Sequence, residues 1–339
     1  MTADLLTTWE KLKKQAVSAE MDALDRLVTV YGMGYTVVDQ RMLILTEQIE
    51  ALQAKSAVTA AQIRKTAAFA ALMTAIENEL DDVSAYMRTE IRVQAEAAAR
   101  LGLKHETDLL YAALAMAFGV EMTDIPRGSV VSTTPDALDF LTVYLNPNGA
   151  LFGKIDALSG YHASIISDGI LERVASGMNP RRIASWATDT YGIGLTDSMR
   201  MMRTAQLYSY RNAASAMQKA NEDVLQGGVW CAELDGDCCM SCVAMHGQEF
   251  PVGEVCNDHH GGRCTILPLA KGMDNPLEQT GEAWFGEQDE AMQRSMMGDS
   301  KWEAWNDNKF DFARLSKDYA DDVYGVMRSE TPLKDLIGE

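Results

Sequence analysis

Residues Val229 to Leu269 read VWCAELDGDCCMSCVAMHGQEFPVGEVCNDHHGGRCTILPL and contain all six cysteines of the chain and three of its five histidines. Turn residues recur through the stretch at Gly236, Gly247, Pro251, Gly253, Gly261 and Gly262. A segment this short cannot bury much apolar surface, so its fold needs a staple: a metal ion or disulfides.

Cys239 and Cys242 form a CxxC pair, a spacing at which a tight turn aims two thiolates at one ion. His259 or His260 and then Cys264 follow, giving C-x2-C-x16-H-x4-C. Four such soft or borderline ligands suit tetrahedral Zn²⁺, and a site closed by four protein ligands is structural rather than catalytic. Cys238 adjoins Cys239 and can take its place. The alternatives are reduced, partly buried cysteines without metal, or disulfides such as Cys231 with Cys256. His246 reads as a turn residue with no ligand role.

The same stretch resembles the phage Mu F-like minor capsid protein, or head morphogenesis, family. That family places an Arg-Thr on a helix, then a Trp, Asp-x-x-x-Cys-x-x-Cys, a Gly followed by an aromatic, and His-x-x-Cys-Arg-Cys. Here Arg203-Thr204, Trp230, Asp235, Cys239, Cys242, Gly247, Phe250, His259, Arg263 and Cys264 stand in that order. The chain departs at Gly262, where the family has a Cys. The resemblance therefore implies Cys239, Cys242, His259 and Cys264 as the metal set and favours His259 over His260. GEAWFG at 281–286, Gln293 to Gly298, Trp305 and TPLKDL at 331–336 also follow the family order. The match is specific from about Met199 onward, weaker from about Asn146 and absent before that.

At 339 residues the chain is long enough for two domains, and 47% hydrophobic residues argue against disorder. A net charge of −19 argues against a general nucleic-acid binder, which needs Lys/Arg stripes to neutralise phosphates. No apolar run reaches the ~18 residues that span a bilayer. The opening MTADLLTTWEKLKK lacks an apolar core of signal-peptide length, which predicts synthesis in a reducing cytoplasm where thiolates outlast disulfides.

The expected fold class is mainly α: an N-terminal helical bundle plus a C-terminal α+β module with a small sheet and a Cys/His knuckle. The first Pro is Pro126, and the preceding residues are rich in Ala, Leu, Met, Glu and Gln. Apolar periodicity predicts helices from Leu5 to Tyr31, ended by Gly32 and Gly34, and from Tyr35 to Leu52. A third is expected over Thr59 to Arg100, broken at Gly102, and a fourth over His105 to Gly119. The Ala-rich face is read as bundle core, or as a surface for another subunit. The expected domains are a helical domain at 1–125, a joint at 126–150 rich in Pro and Gly, and a head-morphogenesis-like domain at 151–339. Within the last lie the knuckle (229–269) and an acidic tail (274–339).

Thr134-Pro135 reads as a helix start, with Thr at the N-cap and Pro at the first helical position. Further helices are expected over Leu158 to Ser176, from Asn179-Pro180 to about Tyr191 before Gly192 and Gly194, and from Thr196 to about Gln226 before Gly227-Gly228. Arg200, Arg203 and Arg211 on the last of these are expected to pair with acidic groups rather than touch nucleic acid. Val229 to Leu234, Gln248 to Val252 and Cys264 to Leu267 read as short strands. The segment 274–339 carries 16 Asp/Glu against 7 Lys/Arg but is rich in aromatics and Met. It predicts two or three short helices packed on the sheet.

No phosphate loop, HExxH or nucleophile elbow occurs. The resemblance implies a minor capsid or head morphogenesis protein of a tailed phage, not an enzyme. It would be made in the host cytoplasm and carried in the virion, in the head interior or at the portal. The expected partners are the portal protein, with a scaffold or major capsid protein besides, and neither specific nucleic acid nor membrane. The competing reading is a zinc-stapled nuclease or toxin-like enzyme using the 239–264 Cys/His cluster, because Asp258-His259-His260 is superficially like the Asp-His of such nucleases.

Overall fold

Helices occupy most of the chain up to Ala220, in a computed structural model that describes residues 5–132 and 135–338. They are α1 (Leu5–Gln53), α2 (Ala60–Arg64), α3 (Ala67–Phe118), α4 (Phe140–Tyr144), α5 (Ala150–Ala175) and α6 (Pro180–Ala220). The fold is mainly α with a small sheet region towards the C-terminus, as the sequence predicts.

Three expected helix breaks do not occur. α1 runs through Gly32 and Gly34, α3 through Gly102, and α6 through Gly192 and Gly194. A glycine inside a helix costs roughly 1 kcal/mol relative to Ala, which long flanking helices with a packed face can absorb. Some of these glycines also permit close packing. A Cβ at Gly34 would strike the Tyr191 hydroxyl, one at Gly102 the backbone carbonyl of Tyr210, and one at Gly194 would stand 2.9 Å from the Tyr31 hydroxyl. A Cβ at Gly32 would meet nothing within 4 Å, so that glycine is merely tolerated.

Other local signals are realised. Thr59 and Gln62 form a capping box at the start of α2, with the Gln62 amide donating to Thr59 Oγ1 and the Thr59 amide to Gln62 Oε1. The helix then turns at Lys65-Thr66 and restarts. Past this turn Phe69 and Leu72 are buried, while Ala67 and Ala70 are exposed. Gly177, at φ +72°, ends α5 with Met178 N–H donating to Arg173 O and Gly177 N–H to Val174 O. Asn179 accepts from Arg181 N ahead of Pro180, as its cap role requires. Thr134 lies outside the described residues; Pro135–Leu138 forms a 3-10 turn before α4.

The chain forms two compact units, each assembled from separated segments rather than one stretch. One draws on residues 19–94 and 143–205 and is helical throughout its regular elements. Its core holds Leu27, Met42, Ile76, Phe152, Ile166 and Tyr191. The other draws on residues up to 18, on 95–142 and on 206 onward, and contains the Cys/His stretch. α1, α3 and α6 each contribute residues to both.

In the second of these units, β1 (Leu225–Cys231), β2 (Glu249–Phe250) and β3 (Thr265–Ala270) form an antiparallel sheet of order β2-β1-β3. Gly227 and Gly228, expected to end the preceding helix, lie inside β1. A Cβ at Gly227 would stand 2.7 Å from the Phe250 carbonyl, and one at Gly228 would strike Ile266. Side chains alternate across the sheet. Val229, Cys231, Leu267 and Leu269 pack with Leu5, Leu110 and Met217, whereas Trp230, Ala232, Cys264 and Ile266 pack with Met240, Phe285 and Phe312. Both faces are buried, which explains why TILPLA reads as a continuous apolar run.

The tail holds more than the short helices expected. α7 (Met240–Met245) lies within the Cys/His stretch; α8 (Gly281–Glu287), α9 (Glu290–Met297), α10 (Asp299–Asn306) and α11 (Leu333–Ile337) follow it. Between the last two, β4 (Ser316–Asp321) and β5 (Gly325–Glu330) pair as an antiparallel hairpin. Its strands SKDYAD and GVMRSE are too polar to announce themselves. Its turn is set by Asp321 Oδ1, which accepts from the amides of Val323 and Tyr324, and by Gly325 at φ +74°. Among the described residues no helix is long and apolar enough to cross a membrane.

Candidate metal centre

Cys242 is the hub of the Cys/His stretch. Cys239 is the N-cap of α7, and its sulfur accepts the Cys242 amide at 3.4 Å, so one helical turn brings both thiols to the same side. His259 Nε2 lies 3.3 Å from Cys239 Sγ and 3.3 Å from Cys242 Sγ. A tetrahedral zinc ion with bonds of about 2.3 Å to S and about 2.0 Å to N separates such ligands by about 3.5 Å. Both nitrogen–sulfur distances are therefore close to what one ion would set.

The ring of His259 is oriented for this. Its Nδ1 lies 3.1 Å from the His260 carbonyl, which selects the tautomer with Nδ1–H and leaves the Nε2 lone pair facing the sulfurs. The ion-pair geometry of His260 is different: its Nε2 is 3.3 Å from Asp321 Oδ2 and its ring packs edge-on to Tyr324. His246 Nδ1 accepts the Ala232 amide at 3.1 Å, in line with a structural role.

Cys264 joins through a second, overlapping group. Cys239, Cys242 and His259 form one cluster that can hold a metal ion, and Cys242, Asp258 and Cys264 form another. Cys242 is shared by both groups, so Cys239, Cys242 and His259 come together as expected, while Cys264 joins Cys242 but not the group of all three; Cys238 also lies against the Cys242 sulfur. Cys231 and Cys256 are not joined by a disulfide: all six cysteines are free thiols, and five are buried.

Arg211 pairs with an acidic group, as expected, but its partner Asp258 and the place of both at the Cys/His cluster were not foreseen from the sequence. The carboxylate of Asp258 accepts the amides of His259 at 2.8 Å and Cys264 at 3.1 Å, and the Cys242 thiol at 3.2 Å. Arg211, from α6, donates to Asp258 Oδ2 and to the carbonyls of Gly262 and Cys264. Gly262, where the resembled family has a Cys, is required here because any Cβ would collide with the Asp258 carboxylate. The sequence signals for this pair were the position of Asp258 beside His259 and the expected ion pairing of Arg211. Arg200 and Arg203 are also paired, with Asp197 and Glu20, as the ion-pair reading of that helix expects. Arg263 makes a two-pronged pair with Asp235.

The electrostatics follow from this packing. Hydrogen bonding from Cys242, then from His259, pulls the Cys239 thiol down to about 5. Cys242 is pushed up by its thiol neighbours Cys238, Cys239 and Cys264. His259 is raised to about 9, chiefly by Cys239. Burial raises Cys264 to about 11. Burial also pushes Asp258 up, but Arg211 and His259 outweigh it and hold the carboxyl below its ordinary range. A divalent ion would displace protons from the thiols that bind it.

Comparisons with family models, with curated proteins and with solved structures return no match. The assignment of function therefore rests on the site and on the sequence motifs.

Proposed function

We propose that Cys239, Cys242, His259 and Cys264 bind one structural zinc ion, and that the chain is a non-catalytic minor head protein of a tailed phage that docks on the portal. The observation that carries the metal is the convergence of two thiols and an oriented imidazole at 3.3 Å. The donor set fits the ion: three sulfurs and a nitrogen are what zinc selects. When bound, the ion would supply folding energy to a module that otherwise relies on a small sheet. Asp258 and Arg211 hold the loop that carries His259 and Cys264. The head-protein reading is supported by the motif order from Arg203-Thr204 to TPLKDL. The net charge of −19 suits a protein housed beside packaged DNA without binding it.

The test is elemental analysis with thiol titration on the full chain before and after chelation, then co-elution with the portal protein of the same phage. One zinc per chain with thiols released on chelation, and a stable portal complex, are expected. No metal would sink the zinc assignment, and no portal complex the head-protein assignment. A zinc-stapled nuclease or toxin-like enzyme is the second reading, because the His259 side chain is 34% exposed and Cys239 is half-buried. Metal-dependent cleavage of plasmid DNA, lost in His259→Ala, would favour it.

A further inference from the structure

Residues 51–76 carry Lys55, Arg64 and Lys65 and no Asp or Glu, and residues 173–188 carry Arg173, Arg181 and Arg182 and again no Asp or Glu. In a chain with 49 acidic residues and a net charge of −19, these two stretches reverse the local charge. The fold brings them together at one end of the helical unit. The first is the turn from α1 through α2 into α3, and the second is the turn from α5 into α6. α2 packs on α5 with Ile63 buried, and Arg181 Nε lies 3.5 Å from Glu50 Oε1 near the end of α1. Lys55, Arg64, Lys65, Arg181 and Arg182 are left exposed. Arg173 is occupied, its guanidinium 3.6 Å from the centre of the Trp186 ring. Among the described residues Lys55, Arg64, Lys65 and Arg182 make no ion pair, and Arg181 keeps 83% exposure beside Glu50. Like charges gathered without counter-charges repel one another, and an acidic surface laid against them relieves that repulsion.

The chain itself offers such a surface. Residues 272–293 hold Asp274, Glu278, Glu282, Glu287, Asp289 and Glu290 without a Lys or Arg, and all six are exposed. Of these, Glu290 is paired with Arg294, and the other five make no ion pair among the described residues. The run covers α8 and the start of α9, in the unit that holds the Cys/His stretch. We propose that the basic end of the helical unit docks on the acidic run 274–290 of a second copy of this chain. The match is one of charge: five exposed cations without acids against six exposed carboxylates without cations. Nucleic acid is the poorer occupant. The basic end offers no exposed aromatic ring for base stacking, and a continuous line of phosphates would meet repulsion from an otherwise acidic chain. Docking of this kind joins two different surfaces, so each added copy leaves one of each free and assembly continues to a ring or a chain. Neither the zinc nor the portal reading is needed for it.

The experiment is sedimentation velocity on the full chain over a range of concentrations, at about 0.1 M and about 1 M salt, where charges are screened beyond roughly 10 Å and 3 Å. The expected result is a mass that rises with concentration at the lower salt and association at least about tenfold weaker at the higher. A first variant combines Arg64→Glu, Lys65→Glu and Arg182→Glu; a second combines Glu278→Lys, Glu282→Lys and Glu287→Lys. Each alone should stay monomeric, and a mixture of the two should associate again, because the reversed end of one meets the reversed run of the other. Both variants keep a negative net charge, so general attraction does not account for that rescue. A chain that is monomeric at both salts, or a variant that still associates alone, would overturn the proposal. A monomer that binds a short DNA duplex, with binding lost in the first variant, would overturn it in favour of nucleic acid. The salt dependence is read on the unsubstituted protein, so a variant that fails to fold does not decide the outcome.

Discussion

Arg211 Nη2 lies 3.2 Å from Asp258 Oδ2, with side chains 7% and 1% exposed, across 47 residues of sequence. One buried guanidinium thereby ties α6 to the loop carrying two of the proposed metal ligands. Removing one partner of a buried pair leaves a charge without compensation and costs about 3–5 kcal/mol. Asp258→Ala should lose at least that, since two backbone amides also lose their acceptor. Urea denaturation monitored by tryptophan fluorescence will check it. A loss below about 1 kcal/mol would mean that the pair is incidental.

Cys242→Ser should abolish metal uptake and make the region after Val229 protease-sensitive, because a closed site gives up folding energy with each ligand. The helical unit formed by residues 19–94 and 143–205 should keep its resistance. Cys256→Ser is the control and should retain metal. Fragment mapping by mass spectrometry after brief proteolysis distinguishes these outcomes.

Glu106 gives the protein a pH dependence. Burial raises its carboxyl from 4.5 to about 8, partly offset by Gln218, whose Nε2 donates to it at 2.9 Å. Below pH ~4.5 both folded and unfolded chains hold this proton and stability is unaffected. Between there and about 8 only the unfolded chain releases it, so stability falls as pH rises, by roughly 1.4 kcal/mol per unit. Above that range the loss is constant. Glu106→Gln should flatten the decline, seen as melting temperatures that no longer drop between mildly acidic and mildly basic buffer.

Gly32 and Gly102 should respond oppositely to alanine. At Gly32 an added methyl meets open space, and helix propensity should raise stability by about 0.5–1 kcal/mol. At Gly102 the methyl would run into the Tyr210 carbonyl, so the same substitution should destabilise despite its propensity gain. Paired thermal melts decide; a stabilised Gly102→Ala would contradict the close crossing.

These glycines also mark where sequence reading stops. Periodicity reveals that Leu27, Tyr31, Val38 and Met42 share a buried stripe, and it does so whether the helix breaks at Gly32 or continues. What it cannot reveal is the partner chain segment that makes a glycine necessary, because Tyr191 and Tyr210 are far away in sequence. The β4–β5 hairpin was hidden for a related reason. Its strands are half-exposed and polar, and they are held by cross-strand pairing and turn hydrogen bonds rather than by an apolar pattern. At the proposed metal centre, ligand spacing pointed to the CxxC pair and Cys264 but left His259 or His260 open, and it was the family resemblance that favoured His259. Asp258 and Arg211 were not selected, since acid and base residues are common and only folding shows which two meet in the dry interior.

The hairpin has a consequence for the order of synthesis. Arg328 holds Asn257 through its amide and its guanidinium, Asp321 pairs with His260, and Ser316 bonds Ser241. The loop bearing His259 is therefore braced by residues that leave the ribosome some sixty positions after it. A nascent chain paused before residue 316 carries every thiol and both neighbouring histidines yet lacks that brace. Its cluster stays open to metal, oxidant or chaperone until translation moves past the hairpin.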